Sequence, residues 1–197
     1  MSKDLQIIQQ LQSKFGEFNY KISNDKVIKL VLNTKGVETK NLKLIGELTS
    51  LETLGLLNNK IEIIQDLNSL VNLQNLDLRF NQITKIEGLE NLINLEWLDL
   101  EFNQITKIEG LDTLANLQTL NLSYNQITEI GGIKKLTNLR KLDLGYNQIE
   151  TIQNLDKLVN SKELWVELGF NKILGSEKRG FRAIRTENLK IDITYNM

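Results

Sequence analysis

The sequence predicts an α/β solenoid, a curved repeat array. One parallel β-sheet is expected on its concave face, 3₁₀-like and irregular turns on its convex face, and a helical cap at its N-terminus. Three observations predict it. Asparagine recurs at Asn59, Asn81, Asn103, Asn125 and Asn147, each 22 residues after the last. Between them apolar residues fall at every third position, as in Ile83, Ile86, Leu89, Leu92, Leu95 and Leu98. Just before each asparagine the period drops to two, as in Leu98 and Leu100.

The period of three excludes a helix. At about 100° per residue, five steps of three drift by roughly 300°, and an apolar stripe would wrap the whole cylinder. A coiled coil alternates threes and fours and fails for the same reason. Tight turns repeat about every three residues, and strands every two. Each unit is therefore a short strand and a turning return path. About seven aliphatic residues per unit, each contributing roughly 1.5–3 kcal/mol when buried, drive the units to stack. The asparagine sits where the strand ends. Its amide both donates and accepts, so a column of them satisfies backbone groups that the turn buries. Asn171 extends this structural column with a spacing of 24.

This frame, L-x-x-L-x-L-x-x-N-x-I-x-x-I-x-x-L, resembles the leucine-rich-repeat family. Its 22-residue form is similar to the subclass that includes a nuclear phosphatase regulatory subunit, a spliceosomal scaffold protein and the bacterial internalins. The resemblance implies a surface for displaying binding residues rather than a catalytic site.

The chain divides into three parts. Residues 1–47 hold the cap helix, a hairpin and a degenerate first repeat. Residues 48–160 hold the regular repeats, and residues 161–197 the degenerate C-terminal ones. Over 3–18, Ile8, Leu11, Phe15 and Phe18 make one apolar helical face. Two β-rich runs around Asn24-Asp25 predict a hairpin that enters the sheet. At the other end Val166-x-Leu168, then Ile191-x-Ile193 with Asn196, continue the frame with looser spacing. The last strand lacks an evident cap, so weak self-association through this edge is expected. Lys178, Arg179, Arg182 and Arg185 form a basic patch between these strands.

Composition narrows the chemistry. Of 197 residues, none is histidine and none cysteine. That removes the usual neutral-pH base, thiolate nucleophiles and the commonest zinc ligands. A net charge of -1 argues against a dedicated nucleic-acid binder. No membrane-spanning stretch, cofactor or metal is expected, and no enzyme. The first residues lack the apolar run of a signal peptide, so the expected localisation is cytoplasmic.

Function is expected on the outward positions of the strands. These are Trp97, Lys141 and Trp165 in one column, and Asp99, Asp143 and Glu167 in the next. Arg79 and Glu101 follow, and Phe80, Phe102, Tyr124 and Tyr146 each precede an asparagine. Exposed Trp, Tyr and Arg are enriched where proteins bind one another. The expected function is a protein-interaction module, regulatory or scaffolding, with an acidic and aromatic concave face. A secreted or surface adhesion module and a ribonucleoprotein scaffold are the alternatives. The sequon Asn121-Leu122-Ser123 bears on the first of these.

Overall fold

The computed structural model describes residues 1–152, 164–173 and, in backbone alone, 189–192. It opens with α1 (Lys3–Phe15). Ser2 caps this helix, its hydroxyl oxygen accepting the N–H of Leu5 at 3.4 Å. Ile7, Ile8 and Leu11 bury one face. Asp4 is buried beside them and accepts the backbone N–H of Val27 at 2.9 Å, which pins the cap to the first turn of the array. The helix ends earlier than its apolar face predicts. Gly16 turns to φ 69°, a left-handed conformation that ends the helix after Phe15. Phe18 lies beyond the helix, packed partly on the core and edge-on to Tyr20.

The hairpin follows as β1 (Asn19–Ser23) and β2 (Lys26–Val31), paired antiparallel. Asn24 and Asp25 at its tip have φ of 49° and 60°. Two left-handed residues are what a tight two-residue hairpin requires, and Asn and Asp tolerate it best after Gly. A 3₁₀ turn at Thr39–Asn41 and α2 (Leu42–Ile45) complete the first return path.

The repeats then contribute β3 (Thr53–Gly55), β4 (Asn75–Asp77), β5 (Trp97–Asp99), β6 (Thr119–Asn121), β7 (Lys141–Asp143), β8 (Leu164–Glu167) and β9 (Leu189–Asp192). From β2 onward every pairing is parallel, and the described strands form one sheet in chain order. Leu54, Leu76, Leu98, Leu120, Leu142, Val166 and Ile191 lie opposite one another across it. The longer spacings near the C-terminus therefore do not shift the register. The basic patch at Lys178, Arg179, Arg182 and Arg185 lies outside the described residues, as do Ile193 and Asn196.

The return paths show why apolar residues recur at threes. Leu92 N–H donates to Leu89 and Leu95 N–H to Leu92, both at 2.9 Å, and the neighbouring turns repeat the pattern. Each bond spans three residues, so one leucine per turn faces inward. Leu89, Leu92, Leu95, Leu98 and Leu100 are all fully buried.

The column of asparagines closes each turn against the one before it. Asn103 Oδ1 accepts the N–H of Ile83 at 3.0 Å. Its Nδ2 donates to the carbonyls of Leu78 and Leu100, each at 3.0 Å, and of Glu101 at 3.3 Å. Asn81, Asn125 and Asn147 repeat this set, and Asn59 and Asn171 repeat it with small variations. Only 8% of Asn103 is exposed, so water cannot replace these bonds. Asn103→Ala orphans the buried N–H of Ile83, whereas the carbonyls of Leu78 and Leu100 keep Asn81 and Asn125 as donors. With one orphaned buried group at roughly 1–3 kcal/mol, the loss is about 2 kcal/mol. Urea denaturation followed by circular dichroism measures it.

Candidate functional site

The outward side chains of the strands form two columns because the strands pair in register. In the first, Trp97 lies between Asn75 and Thr119, and Lys141 lies between Thr119 and Trp165. Trp97 is half-buried, whereas Trp165 is 43% exposed. Three strand steps of about 4.8 Å separate the two tryptophans, so they present two separate contact points, not one cage.

The second column runs Asp77, Asp99, Asn121, Asp143 and Glu167. Each of these side chains accepts the backbone N–H two residues further on. The distances are 3.2 Å for Asp77, 3.1 Å for Asp99, 3.0 Å for Asn121, 3.1 Å for Asp143 and 2.9 Å for Glu167. Gly55 has no side chain to do this, and Asn33 Oδ1 takes the N–H of Leu57 in its place, at 3.0 Å. The column therefore holds the ends of the strands as well as colouring the surface. Sequence reasoning missed this second role. An Asp or Asn at the last position of the strand, able to accept the N–H two residues on, is the signal that carried it.

Arg79 is committed within the sheet. Its Nη2 lies 2.8 Å from Asp77 Oδ2 and its Nε 3.0 Å from Asp77 Oδ1, with Asp99 Oδ2 at 3.8 Å. The hydrogen bond to Asp77 raises its pKa further. Asp99 is only 5% exposed, and burial pushes its pKa up to about 6. Burial also raises Glu101, against the pull of Arg79.

Beyond the strand ends, five rings stack into a ladder: Phe80, Phe102, Tyr124, Tyr146 and Phe170. Neighbouring centroids are 4.1–4.3 Å apart with planes 9–18° from parallel. All five residues have φ of 54–59°, unusual for bulky side chains. Phe170, which precedes Asn171 as the other rings precede their asparagines, completes the stack. The faces of the inner rings are covered by one another, so the ladder offers its ring edges and the Tyr124 and Tyr146 hydroxyls. A further asparagine column also escaped notice in the sequence. Asn72, Asn94, Asn116 and Asn138 each donate to a carbonyl of the preceding turn at 2.8–3.2 Å.

The family model described as "Leucine Rich repeats (2 copies)" matches residues 49–91, 71–113, 93–130 and 115–157, more than half of the chain. The chain belongs to the leucine-rich-repeat family. Members are generally binding modules. No curated protein matches the chain in sequence. Among solved structures, a Listeria monocytogenes internalin, InlF, is 27% identical with a TM-score of 0.61, over 99% of this chain and 64% of its own. A TLR13–ssRNA13 complex is 28% identical with a TM-score of 0.67, over 80% of this chain and 24% of the receptor. The Arabidopsis thaliana receptor-kinase ectodomain GASSHO1/SCHENGEN3, in complex with CASPARIAN STRIP INTEGRITY FACTOR 2, is 26% identical with a TM-score of 0.66, over 84% and 22%. The chain thus spans less than two thirds of each of these proteins.

Among the described residues of this leucine-rich-repeat protein, no helix is long and apolar enough to cross a membrane. No group of three acidic, histidine or cysteine side chains there could hold a metal ion. The buried acid gives a pH test. Asp99 has a folded pKa of about 6, above its ordinary value of 3.8. The folded state then binds more protons than the unfolded one between these values, and stability falls as pH rises from about 4 through 6. Asp99→Asn keeps the Oδ1 acceptor, as Asn121 does at the matching position. On going from pH 4.5 to 7.5, the wild type should lose about 2 kcal/mol relative to this variant. Urea denaturation at the two pH values checks it, and parallel curves would refute the assignment.

Proposed function

We propose that this chain is a non-enzymatic protein-interaction module, serving as a regulatory or scaffold subunit, that binds a basic partner through its outward sheet face. The observation that carries the reading is the mixture on that face. Trp97 and Trp165 stand on outward positions that stacking of the repeats does not require. Around them, the five carboxylates Asp77, Asp99, Glu101, Asp143 and Glu167 outnumber the two cations Arg79 and Lys141. Arg79 is neutralised by Asp77, which leaves Asp99, Glu101, Asp143 and Glu167 against Lys141 to set the local sign. Aromatic anchors beside carboxylates suit lysine- or arginine-bearing protein surfaces. The likeness to a receptor ectodomain solved with another factor supports protein binding. Carboxylates spread along an open sheet lack the enclosed pocket of an enzyme, which favours binding over catalysis.

A second reading, adhesion at a cell surface, draws on the likeness to an internalin across nearly the whole chain. The primary proposal places the protein in the cytoplasm, and fractionation of native cells separates the two. An RNA-binding reading draws on the TLR13–ssRNA13 likeness. It is disfavoured by the net charge and by the covered faces of the ring ladder, which leave the inner rings no room to stack on bases.

The deciding experiment is quantitative capture of a partner by the wild type and by Trp97→Ala, Trp165→Ala and Glu101→Lys. Each variant should lose partner affinity by about tenfold or more with an unchanged melting transition, since buried aromatic anchors typically contribute 2 kcal/mol or more. Undiminished capture by all three would move the interface off this face.

A further inference from the structure

Along the N-terminal ends of the strands, on the far side of the sheet from the stacked rings, runs a groove of about 940 Å³. Its walls repeat with the solenoid. One row is Asn72, Asn94, Asn116 and Asn138, and a second is Gln74, Glu96, Gln118 and Arg140. The asparagine Nδ2 groups are spent on carbonyls of the preceding turn. That fixes each side chain, and its Oδ1 accepts no hydrogen bond among the described residues. The side chains of Gln74, Glu96 and Gln118 make no hydrogen bond among the described residues. The groove thus presents a fixed acceptor once per turn, at a pitch of about 4.8 Å, and a free carboxamide at every second turn, at Gln74 and Gln118.

The charge of the lining narrows the occupant. Lys26 and Arg140 are balanced by Glu52 and Glu96. A nucleic acid would need a basic excess, and a polycation an acidic one. The pitch narrows it again. Side chains on one face of an extended peptide recur at about 6.6 Å, out of step with the turns. In an extended β-1,4-linked pyranose chain, each sugar advances by nearly one turn of the solenoid and successive sugars are turned over, so like hydroxyls recur at every second turn, as Gln74 and Gln118 do. Its hydroxyls both donate and accept, as the open carboxamides require. The geometry points to a glycan-binding groove for a neutral, extended β-linked polysaccharide, one sugar per turn. The site is separate from the proposed protein-binding face. No aromatic ring lines the groove, so affinity comes from hydroxyl hydrogen bonds alone and accumulates along the ligand.

Titration calorimetry of the full chain against cello-oligosaccharides and chito-oligosaccharides, from disaccharide to hexasaccharide, tests the assignment. At least one series should tighten with each added sugar by about two- to tenfold, the worth of one or two net hydrogen bonds. Gln118→Ala, whose side chain holds nothing in the fold, should weaken the hexasaccharide about fivefold and leave the melting transition in place. Four results would overturn the assignment. They are no binding by either series at millimolar concentration, affinity indifferent to length, α-linked maltohexaose bound as tightly, or no effect of Gln118→Ala. An extended Ser/Thr hexapeptide bound as tightly as the hexasaccharide would reassign the groove to peptides and overturn it too.

Discussion

A strand of three residues is too short to hold a sheet together, and the turns that join such strands bury backbone groups that water cannot reach. The carboxamide of one asparagine per repeat resolves both difficulties. Asn103 and its equivalents accept a backbone N–H of the preceding turn and donate to carbonyls of that turn and their own. Each repeat is thereby tied to the one before by a side chain at a fixed place. Parallel register and the depth at which the leucines meet both follow from that tie. The 22-residue spacing is the interval at which the tie recurs.

The same strand end carries a conformational cost. The residue before each asparagine turns left-handed, at about 1–2 kcal/mol for a side chain with a Cβ. In five successive turns that residue is aromatic, and the rings stack. A stacked pair contributes about 0.5–1.5 kcal/mol beyond its burial, comparable to the cost it accompanies. The carboxylate or Asn121 carboxamide three residues earlier takes the N–H that this turn leaves open. The acidic and aromatic character of the surface is thus partly a product of how the strands end. Trp97, Trp165 and Glu101 have no such role, and they are the more informative residues about binding.

The periods of three and two were enough to read the solenoid, the strands and the buried leucines from the sequence. The asparagine column was legible as well, because an amide that can donate and accept recurs where a strand stops. The hairpin was legible from Asn24 and Asp25. The helix end was misplaced because apolar spacing continues to Phe18, whereas backbone freedom at Gly16 decides where the helix stops. The double role of Asp77, Asp99 and Asp143 escaped because a column of carboxylates looks like surface chemistry until the N–H two residues on is located. Arg79 looked like a free contact, yet Asp77 on its own strand engages it in two hydrogen bonds. Asn72, Asn94, Asn116 and Asn138 also recur at 22 residues, but they are polar residues on a return path, and only the fold brings each to a carbonyl of the preceding turn.

The central claim is that side-chain amides, acting between turns, hold this array closed. Native-state hydrogen exchange tests it most directly. The N–H groups of Ile83, Ile105 and Ile127 donate only to an asparagine Oδ1 of the following turn. They should exchange as slowly as the N–H groups of Leu100 and Leu122, which donate to backbone carbonyls across the sheet. Exchange of the three isoleucine amides at the rate of exposed turn residues, while the leucine amides stay protected, would contradict the claim.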